Sequence, residues 1–186
     1  MATADFAQQI EALHQRYQNK LPPVETWNPP LSGDMDMRIA KDGRWFHEGE
    51  EIKRQALVDL FATILKREGD DYFLVTPVEK WRIQVDDAPF LVIDAECFAE
   101  TDREPEHCVF TTSTGDQVVA DKEHPIWVEH SAKSGEPHPY LLIRNNMPGL
   151  IHRNVYYQLV ERALADAGGK KNEVGIYSCG EFFKLD

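Results

Sequence analysis

Residues 52–69 read IKRQALVDLFATILKREG. Leu57, Leu60, Phe61, Ile64 and Leu65 recur at i, i+3, i+4, i+7 and i+8, which draws one apolar stripe along a helical surface. The spacing predicts a helix over the whole stretch, with Gly69 as its C-terminal stop. Residues 151–168, IHRNVYYQLVERALADAG, follow the same pattern ninety-nine positions later. At that offset Ile52, Arg54, Leu60, Leu65 and Gly69 meet Ile151, Arg153, Leu159, Leu164 and Gly168. The stripe becomes Tyr156, Leu159, Val160, Ala163 and Leu164. The chain therefore reads as two copies of a strand–helix–strand unit. This is an α+β fold with an internal duplication, mostly antiparallel strands and one packed helix per half.

Around these two stretches the other elements fall into place. Phe6, Ile10, Leu13 and Tyr17 recur at helical spacing, so an N-terminal helix is expected, ended by Pro22 and Pro23. Residues 24–31, VETWNPPL, are too proline-rich for a regular element and form an extended arm around Trp27. Residues 34–40 alternate Met35, Met37 and Ile39 against Asp34, Asp36 and Arg38, a strand with one apolar face. Asp42-Gly43 turns it into a returning strand at 45–48. Further strands are expected at 72–76, 80–85 and 90–98. A meander follows at 108–112, 117–121, 126–130 and 140–144, and two last strands at 174–178 and 181–184. The acidic segment 102–106, which carries Pro105, marks the division. The expected organisation is a helix and arm over 1–31, a first α+β unit over 32–101 and a second over 102–186.

Charge narrows the partners. Twenty basic residues against 32 acidic ones leave a net charge of −12. Duplex nucleic acid needs a basic surface to neutralise its phosphates, so no such partner is expected. No apolar run reaches the length of a membrane-spanning helix, and no basic segment followed by an apolar one opens the chain, so membrane insertion is not expected either. Cys97, Cys108 and Cys179 are too few and too irregularly spaced for a disulfide framework. They suit a reducing cytosol, where cysteine is most often a small buried apolar group, and a cytoplasmic location is expected.

Few residues carry chemistry by type and spacing. Asp34 and Asp36 share a strand face and could ligate a hard cation, but a solvated face paired with Arg38 accounts for them without a metal. The seven histidines include no HxH or HxxxH pair, so neither a metal nor another cofactor is expected. Cys179, beside Gly180, sits where a nucleophile could stand but lacks a marked base. The stretch 144–153, RNNMPGLIHR, leaves a strand and enters the second helix. Arg144, His152 and Arg153 there are potential cations at a helix N-terminus, where anions are favoured.

Three longer runs carry a family resemblance. WNPPLSGDMDMRIAKDGRWFHEGEEIKRQALVDLF with YFLVTPVEKWRIQVDDAPFLV, and later PYLLIRNNMPGLIHRNVYYQLVE, resemble the bacterial domain-of-unknown-function family 1285. The resemblance covers most of 27–161. It implies an internally duplicated α+β fold, a C-terminal half superficially like a pleckstrin-homology domain, and a ligand site at the interface of the halves. Arg38, Trp45, Glu48, Arg54, Lys80, Arg144 and Arg153 match the family strings, whereas 145–152 departs from the glycine-rich turn that the family favours. No established activity comes with the family.

These readings combine into a non-enzymatic, ligand-binding protein with a sensing or signalling role. The expected ligand is a small anionic molecule, which the family resemblance implies is nucleotide-like. Arg38, Arg54, Arg144 and Arg153 would recognise its charge, with Trp45 and Tyr156 as apolar walls. The alternatives are an interaction module that uses a sheet edge, and a hydrolase or transferase built on Cys179 or on Asp34 and Asp36.

Overall fold

The computed structural model describes residues 2–17, 20–98, 106–166 and 173–186. The chain divides into two compact units, Met1–Asp87 and Ala88–Asp186. The division therefore falls ahead of residues 90–98, not at 101/102 as the acidic segment suggests. The buried run that opens this strand, Phe90, Leu91 and Val92, belongs to the sheet of the second unit.

In the first unit the order is α1 (Ala2–Tyr17), a 3-10 turn (Val24–Thr26), β1 (Leu31–Ile39), β2 (Trp45–His47), β3 (Glu50–Glu51), α2 (Gln55–Ala62), β4 (Leu65–Glu68), β5 (Asp71–Val75) and β6 (Lys80–Val85). The strands form one sheet in the order β3-β2-β1-β6-β5-β4, with β1 and β6 parallel at its centre. The Asp-Gly turn is as the sequence dictates. Gly43 takes φ +82, and the Asp42 carboxylate accepts from the Arg44 backbone N–H at 3.2 Å and from its Nε at 2.8 Å.

The stretch 52–69 is not one helix. α2 stops at Ala62, Thr63 closes it by donating its hydroxyl to the Leu60 carbonyl at 2.7 Å, and Leu65–Glu68 is a strand. Gly69, at φ +63, is a turn residue of the β4–β5 hairpin and not a helix cap. The physical reason is competition. Leu65 pairs with Leu74 and Lys66 with Phe73, and this ladder satisfies the backbone as well as a continued helix would. It also leaves Ile64 and Leu65 fully buried. Gly69-Asp70 between Glu68 and Asp71 is a two-residue hairpin loop, a signal masked by the helical period of the preceding leucines.

The second unit contains β7 (Phe90–Phe98), β8 (His107–Thr112), β9 (Gln117–Val119), β10 (Ile126–His130), β11 (Pro137–Arg144), β12 (Met147–Ile151), α3 (Arg153–Asp166), β13 (Gly175–Ser178) and β14 (Glu181–Lys184). Its main sheet runs β10-β11-β12-β7-β8-β9, with β12 and β7 parallel, and β13–β14 form a separate hairpin. Asn145 and Asn146, at φ 47 and 57, make a two-residue turn between Arg144 and Met147. The lead-in expected before the second helix is thus a strand. The expected stop of α3 at Gly168 lies outside the described residues.

Counted from the first strand of each unit, both sheets have the order 4-5-6-1-2-3. In each, the first and sixth strands pair in parallel, and two antiparallel three-stranded meanders run outward from them. The fold is an internally duplicated α+β fold, and the duplication is one of sheet topology. The helices are not its echo. α2 lies between the third and fourth strands of its unit, whereas α3 follows the sixth of its own. The pleckstrin-homology likeness gains no support from this order, because two meanders on a parallel pair are not one meander closed by a helix.

Cys97 and Cys108 face each other across β7 and β8 and form a disulfide, while Cys179 is free and exposed. This corrects the expectation of three reduced, buried thiols.

Candidate functional site

The β1–β2 hairpin fixes which side chains share a face. Met37 pairs with His47 and Arg38 with Phe46, so Met35, Met37 and His47 point to one side of the sheet and Asp36, Arg38 and Phe46 to the other. α2 covers the first side, where Phe61 stacks on Trp45 at 6.3 Å and 12°. On the other flank of β1 the ladder with β6 breaks. Asp34 pairs with Arg82 and Arg38 with Gln84, so Met35, Asp36 and Met37 stand opposite Ile83 alone. A bulge of this kind bends the strand and re-aims its side chains, which is why bulges collect beside binding sites.

A pocket lies on each side of this bulge, and both reach Met35 and Met37. The pocket on the uncovered side, about 340 Å³, is lined further by Asp36, Arg38, Phe46, Gly49 and Gln84. The pocket on the covered side, about 210 Å³, is completed by Phe6 of α1, His47, Ile52, and Leu57 and Phe61 of α2.

In the polar pocket Arg38 is held and still accessible. Its Nη1 donates to Asp86 Oδ2 at 2.7 Å, its guanidinium lies 4.7 Å from the Phe46 ring centroid, and its side chain is 40% exposed. Gln84 donates to the other oxygen of Asp86 at 3.1 Å and so fixes that carboxylate. Arg44 lies 5.3 Å from the same Phe46 ring. Both guanidinium groups on this ring are ion-paired, Arg38 with Asp86 and Arg44 with Asp42 and Glu51. Asp36 is exposed at the pocket wall.

The other residues singled out from the sequence occupy different settings. Trp45 is 2% exposed beneath α2. Arg54 is the exposed N-cap of α2, where its carbonyl accepts from Leu57 and Val58. In the second unit Arg144 is mostly buried, ion-paired with Asp116 and 4.7 Å from the Phe90 ring centroid. Burial lowers its pKa from the usual range, and Asp116 opposes that shift. Arg153 opens α3, is exposed and pairs with Glu136. Tyr156 is buried and donates its hydroxyl to the Leu185 carbonyl at 2.5 Å; burial raises its pKa. Within each unit, then, the structure does not gather these residues around one point. Cys179 sits at φ 52 in the β13–β14 turn, and Asp34 and Asp36 are exposed, with Arg82 Nε 3.7 Å from Asp34.

Residues 22–88 match the model of the N-terminal domain of the DUF1285 family, and residues 89–185 match that of its C-terminal domain, both of unknown function. The chain belongs to the DUF1285 family. The two domain models meet one residue after the structural division at Asp87. A DUF1285 family protein from Silicibacter pomeroyi DSS-3, of known crystal structure, is 43% identical over 90% of this chain and 88% of its own, with a TM-score of 0.80. A second, from Shewanella baltica OS155, is 30% identical over 68% of this chain and 91% of its own, with a TM-score of 0.53. No curated protein matches this chain. Among the described residues of this DUF1285 protein, no helix is long and apolar enough to cross a membrane.

Sequence reading found Arg38 in the DUF1285 chain but missed Phe46, Gln84 and Asp86 around it. Phe46 was accessible through the Asp-Gly hairpin, which sets it opposite Arg38. Gln84 and Asp86 were not, because their approach depends on a parallel pairing between strands forty residues apart.

Proposed function

We propose that this DUF1285 protein binds a small polar molecule at the Arg38 pocket and acts as a sensor, not as a catalyst of turnover. The observation that carries this reading is Arg38 itself, an exposed guanidinium seated on Phe46 and steadied by Asp86 at the edge of a strand bulge. Seating the guanidinium in advance lowers the ordering cost of binding an anion. Asp36 on the same wall repels a purely anionic ligand and welcomes a hydrogen-bond donor. The pocket therefore suits a molecule with an anionic group at one end and amino or amide N–H groups at the other. A mononucleotide has that pattern, and about 340 Å³ lies at the small end of the range for such sites. The lining of Met, Asp, Arg, Phe, Gly and Gln supports recognition, with no nucleophile–base pair among those residues. Arg38, Arg144 and Arg153 all have carboxylate partners; Arg38 is the one of the three that lines this pocket, so this reading assigns charge recognition to it.

The test is calorimetric titration of the full chain with AMP, GMP and inorganic phosphate. Binding of a nucleotide that weakens roughly tenfold or more in Arg38→Ala supports the assignment, since a charge-assisted pair is worth about 1.4 kcal/mol or more. Asp36→Asn is expected to weaken nucleotide and not phosphate. Absence of binding by all three, or binding indifferent to Arg38→Ala, overturns it.

A further inference from the structure

We infer that the pocket under α1 and α2 is a separate binding site for a small, neutral aromatic molecule with one hydrogen-bonding group, of the phenol or indole class. The volume is about 210 Å³. The pocket opens to solvent, and an apolar recess of this size leaves its walls without close-packed dispersion partners. An apolar cavity of about 150 Å³ lined by Leu, Ile and Phe takes up benzene, so this one has room for a ring with a substituent or a fused second ring.

The walls select the ligand. Met35 and Met37 bring two thioethers, which contact aromatic rings favourably and adapt to their shape. Phe6 and Phe61 bring two aromatic rings from two different helices. Among the described residues no arginine, lysine or carboxylate lines the pocket, and Arg38 and Asp36 face the opposite side of the sheet, so these walls would leave a charged molecule uncompensated. Among the described residues the one polar group in the wall is His47. It is half-buried, pairs with Met37 across the hairpin, and makes no side-chain hydrogen bond among the described residues. Neutral imidazole offers one donor and one acceptor. A phenolic O–H or an indole N–H satisfies the acceptor, and that contact sets the orientation of the ring. A saturated chain would leave His47 unsatisfied and gain less from the sulfur and phenyl walls.

This site does not rest on the Arg38 reading, and the two are separable by experiment. The full chain carrying methyl-labelled methionine is titrated with indole, phenol and benzene and followed by NMR. The expected result is saturable ring-current shifts of the Met35 and Met37 methyl signals, with the Met147 signal of the second unit unmoved. His47→Phe is expected to weaken indole and phenol by roughly three- to tenfold, the worth of one hydrogen bond, and to leave benzene unchanged. Ile52→Phe, which fills the pocket from the irregular segment before α2, is expected to abolish the shifts while the chain stays folded. Arg38→Ala is expected to leave them intact. The inference is overturned if none of the three probes shifts Met35 and Met37, if Met147 shifts in parallel, or if folded Ile52→Phe still binds indole.

Discussion

The Nζ of Lys66 donates to the Trp27 carbonyl at 2.9 Å and fastens the proline-rich arm to β4. Lys66 is 5% exposed, and its remaining partners are Asn28 Oδ1 at 3.0 Å and Glu68 at 3.4 Å. A buried ammonium is tolerated here because acceptors surround it. Arm and sheet are thus joined by charge-assisted hydrogen bonds as well as by the burial of Trp27.

Lys66→Ala would leave the Trp27 carbonyl and Asn28 without this donor. The expected loss of stability is about 2–4 kcal/mol, from the lost charged hydrogen bonds and the unsatisfied carbonyl. Urea unfolding of the variant measures it. A loss below about 0.5 kcal/mol would mean that water replaces the ammonium at no cost.

Arg144 and Asp116 form the second anchor. Both side chains are 14% exposed, and Asp116 also accepts from the hydroxyls of Thr112 at 3.1 Å and Thr114 at 3.0 Å. Arg144→Ala leaves a mostly buried carboxylate without its cation and is expected to cost about 3 kcal/mol or more. A double-mutant cycle with Asp116→Asn should return a coupling above about 1 kcal/mol. Additive losses would show that the pair is not energetically linked.

Acid weakens the first unit through Glu68. The hydrogen bond from Lys80, at 2.8 Å, holds the Glu68 carboxyl below its ordinary value of 4.5, with Lys66 adding to the effect. The folded-state pKa is depressed, so the stabilisation is fully present above pH 4.5 and is lost as pH falls through the folded value. Glu68→Gln should therefore be less stable than wild type at neutral pH, and its stability should fall less steeply with acid. Parallel stability curves from neutral pH to pH 3 would contradict this.

The Cys97–Cys108 bridge spans eleven residues. Closing so short a loop restricts the unfolded chain by about 3 kcal/mol on the chain-entropy model. A phosphine reductant should lower the unfolding midpoint of wild type and not of Cys97→Ser/Cys108→Ser. Alkylation of the unreduced, denatured chain should modify Cys179 alone. Labelling of all three thiols without reductant would remove the bridge.

Much of the architecture was legible because its signals are local. Alternation from Met35 to Ile39 and the Asp-Gly turn fix β1, β2 and hence the opposition of Arg38 and Phe46. The amphipathic starts of α2 and α3, and the absence of a membrane-length apolar run, belong to the same class. Local period could not decide 63–69. There a helical stripe and a hairpin coexist in one string, and the partner strand β5 selects the hairpin.

The sequence by itself determined an α+β chain of two related halves and family membership, since those rest on periodicity, turn chemistry and strings of residues. Only the tertiary structure decided that the repeat lies in the order of the strands and not in the helices that suggest it. It also decided that β7 opens the second unit, that Cys97 meets Cys108, and that three residues of β1 bulge past Ile83 to leave a pocket on each side. Apart from the Cys97–Cys108 pairing, which joins successive strands, each of these depends on register between strands distant in the chain. Register is set by the fit of whole faces and by the hydrogen-bond ladder, and no short window of sequence contains both partners.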